Sequence, residues 1–160
     1  MSERTDELLE VWRTNHRITL RLLGAVSDEG LLCSLSKRGG RSVGRQFAHL
    51  HDVRAMQLEA RAKALAAGIR KFASKDEPAR ADLVDGLEDS ARRIEDWIRY
   101  ASAGVPGIRT FKRGVVQQVA YFVAHESHHR GSILLTLKVC GHPVERTVRD
   151  ALWGDWDRSG

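Results

Sequence analysis

The sequence predicts an all-α protein, a four-helix bundle with a short helical tail. Three observations carry this. Apolar residues recur at intervals of three and four along four long stretches. The only prolines are Pro78, Pro106 and Pro143, so long helices are permitted almost everywhere. Leu, Ala, Arg and Glu are abundant and β-branched runs are scarce. At 160 residues the chain reads as one domain, 1–160, large enough to bury a core.

The first helix is expected over residues 5–26. Leu8, Leu9, Val11, Trp12, Ile18, Leu22, Leu23 and Val26 make one stripe, and Asp6 and Glu7 favour the positive end of its dipole. Asn15 continues the stripe and reads as a buried polar group with a partner; His16 borders it as a surface or structural residue. A connector to Arg41 has room for a helical turn over 31–35, with Gly39 and Gly40 breaking regular structure before an N-cap at Ser42.

The second helix is expected over 43–67, stopped by Gly68. Its face includes Val43, Phe47, Leu50, Val53, Arg54 and Leu58. His49 reads as the more inward of its two histidines and His51 as nearer the flank. A connector containing FASKDEP leads to a third helix over 80–103. There Leu83, Leu87, Ala91, Ile94, Trp97 and Ile98 face the core, and the acidic and basic residues form a solvated face with intrahelical pairs. Gly104 ends it.

The fourth helical run, roughly 110–140, begins after the loop GVPGIRT and stops at Gly141 and Pro143. It carries HESHHRG, three of the seven histidines within five residues. His125 and His129 are four apart and share one helix face, a half-site for a transition metal; equally, such pairs occur on solvated faces. His128 is turned about 100° from His129. A short helix over 144–152 and Trp153 and Trp156 close the chain.

The net charge of +5 and pI of about 9.6 are diffuse. The small clusters Lys37, Arg38, Arg41 and Arg109, Lys112, Arg113 have no interleaved aromatics, so nucleic acid is not an expected partner. No apolar run approaches the roughly 20 residues of a membrane span. Two widely spaced cysteines, Cys33 and Cys140, make no disulfide framework, and with no apolar leader the expectation is a cytoplasmic protein.

FAHLHDV in the second helix, HESHHRGSILLTLKVCGHP in the fourth and the closing ALWGDW together resemble the DinB-like superfamily, also called YfiT-like metal-dependent hydrolases. The resemblance covers most of the chain, and HESHHRG is its most specific part. It implies an up-down-down-up bundle, frequent homodimers, and one divalent metal on His49, His125 and His129. The family pattern usually has Gln where this chain has Ser132.

Three neutral imidazoles leave coordination positions open, the layout of a catalytic site. The expected ion is nickel or zinc, with manganese or iron as alternatives, and its affinity is expected to fall below about pH 6.5, the ordinary imidazole pKa. The expected ligand is a small-molecule substrate, with a low-molecular-weight thiol as one candidate for an S-transferase and a hydrolysable substrate as the other. Asp52, one turn after His49, is a candidate to orient a ring nitrogen, and Tyr121, one turn before His125, is a candidate to donate to a bound substrate. HESHH also matches a zincin HExxH literally. However, its downstream ligand would have to be His142, beyond the helix-ending Gly141, and Glu126 is rotated away from His125. The competing class is a non-enzymatic, stress-related metal-binding protein or one associated with nucleic acid.

Overall fold

The computed structural model describes residues 2–36 and 40–157; Lys37, Arg38 and Gly39 of the expected basic cluster and glycine break lie outside them. The described residues form seven helices and no strand: α1 Glu3–Ala25, α2 Asp28–Leu31, α3 Val43–Arg61, α4 Lys63–Ala66, α5 Arg80–Ser102, α6 Val115–Val139 and α7 Arg146–Gly154. None is long and apolar enough to cross a membrane.

The bonds between helices give the course of the chain. Asn15 meets Glu126 and Thr19 meets Arg130, so α1 and α6 run parallel. Trp12 Nε1 donates to Ala91 O while Arg80 reaches Leu23 O, so α1 and α5 run antiparallel. His51 lies against Gly86 O and Arg54 against Ser90, so α3 and α5 are parallel. The order is up-down-down-up, with α5 and α6 each packed on both α1 and α3.

Two parallel neighbours need a return strand of chain, and residues 67–79 supply it along the outside of α3. Polar side chains of α3 and of its N-cap residue tether it in sequence. His51 Nε2 lies 2.7 Å from Arg70 O, Asp52 Oδ1 accepts from Phe72 N–H at 3.0 Å, Arg45 donates to Ser74 O, and Ser42 Oγ donates to Glu77 at 2.5 Å. This corrects the expected order of the two histidines. His51 is buried (1 % exposed), with Nδ1 also 2.6 Å from Gly86 O, whereas His49 is only half-buried. The stripe on α3 is too broad for spacing alone to separate them.

The second helix is also shorter than its periodicity suggests. It breaks at Ala62 (φ −151°, ψ 62°), and α4 is a separate turn. Arg109 on the α5–α6 loop takes the carbonyls there: its backbone N–H donates to Arg61 O at 2.9 Å and its guanidinium to Ala60 O. The turn expected at 31–35 starts earlier, because Ser27 Oγ caps it by accepting from Gly30 N–H. The tail helix falls two residues later than expected, and α6 starts at Val115 after Gly114, whose φ of 91° no helix accommodates. Gly104 and Gly141 end α5 and α6 as expected. At φ 68° and 83° each closes a paired cap, with Val105 N–H on Tyr100 O and His142 N–H on Leu137 O.

The core is two apolar clusters. One gathers Ile18, Leu22, Phe47, Leu50, Leu83, Leu87, Ile133 and Leu137, and the other Leu9, Trp12, Leu58, Ile94, Trp97 and Phe122. Between them lies a buried polar layer. Glu126 takes both oxygens to Arg54 (2.7 and 2.9 Å) and accepts from Asn15 Nδ2 at 2.8 Å. Arg54 Nη1 continues to Leu87 O, and Arg130 Nη1 to Asn15 Oδ1 and Thr19 Oγ1. Burial alone would raise the Glu126 pKa, but the two guanidinium groups and Asn15 hold it below the usual carboxylate range. Arg54 also stacks over Trp12, 4.8 Å from the ring centroid. All four long helices contribute to this layer, and Asn15 has the partners expected of it.

Trp12 and Trp97 are core residues, as their stripes predict, whereas Trp153 is 80 % exposed. Cys33 and Cys140 are free thiols that come together beside Ser34, whose carbonyl lies 3.8 Å from Cys140 Sγ. Burial, and then a hydrogen bond with Cys140, raise the Cys33 pKa.

Candidate metal centre

The polar layer sets the rotation of α6. Glu126 and Arg130, four apart, turn into the core, so His125 and His129, one position earlier in each turn, project into the groove between α6 and α3. From α3, His49 meets them. Ring centroids stand 5.4 Å apart for His49–His125, 4.8 Å for His49–His129 and 4.6 Å for His125–His129. One ring nitrogen from each falls within 4.8 Å of the other two.

These residues fit a metal. Zinc–imidazole bonds of about 2.0–2.1 Å place two nitrogens on one ion roughly 3.0–3.5 Å apart. The three nitrogens, within 4.8 Å of one another, stand somewhat wider than that. The protonation state also suits coordination. Burial, then the positive charge of Arg41 and the neighbouring ring of His125, push His49 down to about 4. Burial and then the other histidines push His129 to about 4. The His125 pKa is lowered too, by burial first, with Glu126 opposing. Three neutral nitrogen donors in a half-buried pocket match transition-metal preference rather than calcium or magnesium, which take oxygen.

His128 is exposed and stands edge-on to His129, outside the set of three. Tyr121 stacks on His125, ring planes 20° apart at 5.9 Å, so it holds the ring by its face. Asp52 does not orient His49 as expected: its hydrogen bond goes to Phe72 N–H, and burial raises its pKa. Glu126 lies in the core behind the site, which removes it as the base of a zincin.

Sequence reasoning named Arg54 and Asn15 as face residues but missed Glu126 as their partner. It also missed Arg41 and Gln46 at the site. Two solvent-open clefts flank the centre and share Arg41 as a wall. One, of about 260 Å³, includes Gln46, His129 and Ser132; the other, of about 150 Å³, includes His49, Asp52 and Phe72.

A four-helix bundle with three inward-turned histidines and open space beside them defines a class of helical proteins built around a candidate mononuclear metal centre. The sequence identifies the group within that class: the DinB family model matches residues 1–156, and the chain belongs to the DinB family. No curated protein matches the chain.

Proposed function

We propose that this protein is a metal-dependent enzyme acting on a small molecule, with His49, His125 and His129 as the ligands of one divalent ion. The observation that carries the reading is the convergence of three neutral rings beside two open clefts. A divalent transition metal held there would supply Lewis acidity, lowering the pKa of a water or thiol placed against it. The chain's own residues do the rest. Tyr121 holds His125 in place, the buried Glu126–Arg54 pair fixes the rotation of α6, and Arg41 contributes positive potential at the mouth. Two reaction classes fit this arrangement, S-transfer from a low-molecular-weight thiol and hydrolysis of a small substrate. Nickel and zinc are the proposed ions, ahead of manganese and iron. We further propose a homodimer.

Reconstitution with zinc, nickel, manganese and iron in turn, followed by elemental analysis, is expected to give one ion per chain. Thiol-transfer and esterase screens of the loaded protein then assign the class. A chain that stays metal-free with every ion would overturn the reading.

A further inference from the structure

The larger cleft has a chemistry of its own. It lies on the His129 side of the centre and is lined by Ser34, Arg41, Gln46, Ser132 and Thr136. Gln46 is 7 % exposed, and its Oε1 is the one buried side-chain oxygen or nitrogen among the described residues without a hydrogen-bond partner. Buried polar atoms are normally paired, so an orphaned acceptor in a cleft wall asks for a donor from outside the chain. Gln46 is three residues before His49, which puts both on one face of α3, a turn apart.

Arg41 makes no hydrogen bond or ion pair among the described residues. It is close enough for its charge to act on all three histidines. An unpaired guanidinium at the mouth of a cleft is a ready partner for a carboxylate. Ser132 is three residues after His129, and its short side chain leaves open the space that a glutamine there would fill.

We propose that this cleft is the substrate-recognition subsite of the three-histidine centre and takes a small carboxylate with a neighbouring N–H, the chemistry of an N-acylamino acid. The carboxylate meets Arg41, the N–H donates to Gln46 Oε1, and the remainder reaches the histidines one turn away. This rests on the three histidines being a metal centre.

The test uses cobalt(II)-loaded protein and three thiols, read by the thiolate-to-cobalt absorption band, with cobalt per chain measured throughout. N-acetylcysteine carries carboxylate, N–H and thiol. The comparators are 3-mercaptopropionate, which lacks the N–H, and N-acetylcysteamine, which lacks the carboxylate. N-acetylcysteine is expected to bind about tenfold more tightly than either. Gln46→Leu is expected to erase its advantage over 3-mercaptopropionate, and Arg41→Gln its advantage over N-acetylcysteamine. Ser132→Gln is expected to weaken all three thiols, with cobalt stoichiometry unchanged in each variant. Arg41 is exposed, so its variant keeps the test decisive should Gln46→Leu misfold. Equal affinities in the parent, or a ranking untouched by Arg41→Gln, overturn the subsite while leaving the metal centre standing. Failure to bind cobalt at all overturns the metal centre instead.

Discussion

His129 and His128 are adjacent in sequence and differ in what they face, and that difference is measurable. His129→Ala is expected to abolish stoichiometric metal while the helical circular dichroism signal is kept, because α6 does not depend on the imidazole. His128→Ala is expected to keep most of the metal, since that ring is exposed outside the cluster. His51→Ala should also keep metal, but the two carbonyls it meets lose their partner, at a cost of about 1–3 kcal/mol in chemical denaturation. The titration of these rings sets a further expectation. His16, His49 and His129 have folded pKa values of about 4, against about 6.5 in the unfolded chain. Between those values the unfolded chain binds more protons, so the metal-free protein loses stability as pH falls from about 6.5 to 4, and the loss levels off below that. A series of melting temperatures across this window checks the sign, and His129→Ala should flatten the drop. For the same reason proton competition for the metal begins below the pH 6.5 expected of an unperturbed imidazole.

At the scale of elements, the polar layer is the feature that joins α1, α3, α5 and α6. Breaking it from one side leaves a charge buried without its partner. Glu126→Gln strands Arg54 and is expected to destabilise the fold by about 3–5 kcal/mol. The double variant Arg54→Met, Glu126→Leu is expected to cost clearly less than the sum of its two single changes, because no uncompensated charge remains. Urea denaturation of the four proteins closes that cycle, and an additive result would count against the layer acting as a unit. The tether of residues 67–79 belongs to the same scale. Asp52→Ala should loosen that connector, seen as faster amide exchange at Phe72, with little change in metal stoichiometry.

For the whole molecule, the open question of assembly has a direct measurement. The homodimer predicts a sedimenting mass of twice the 17.9 kDa chain at tens of micromolar. Trp153, 80 % exposed beside Leu134, Leu152 and Trp156, is a large apolar group available for such a contact. Trp153→Ser is expected to shift the protein toward monomer with its helix content intact; a parent that sediments as a monomer removes the dimer.

Periodicity and end signals were enough for the four long helices, their glycine stops at Gly104 and Gly141, and the pairing of His125 with His129 on one face, because all of these depend on neighbours three or four residues away. The third histidine came from likeness to a family, since spacing cannot say which of His49 and His51 a return segment will cover. The break at Ala62, the Glu126–Arg54 layer and the unpaired oxygen of Gln46 were invisible for a common reason. The first two are decided by a partner dozens of residues distant, Arg109 for the break and Glu126 for Arg54, and the third by no partner among the described residues reaching Gln46 Oε1. Local pattern records which side of a helix is apolar. Which polar groups meet across the bundle depends on the rotation and stagger of whole helices, and only the packed tertiary structure sets those.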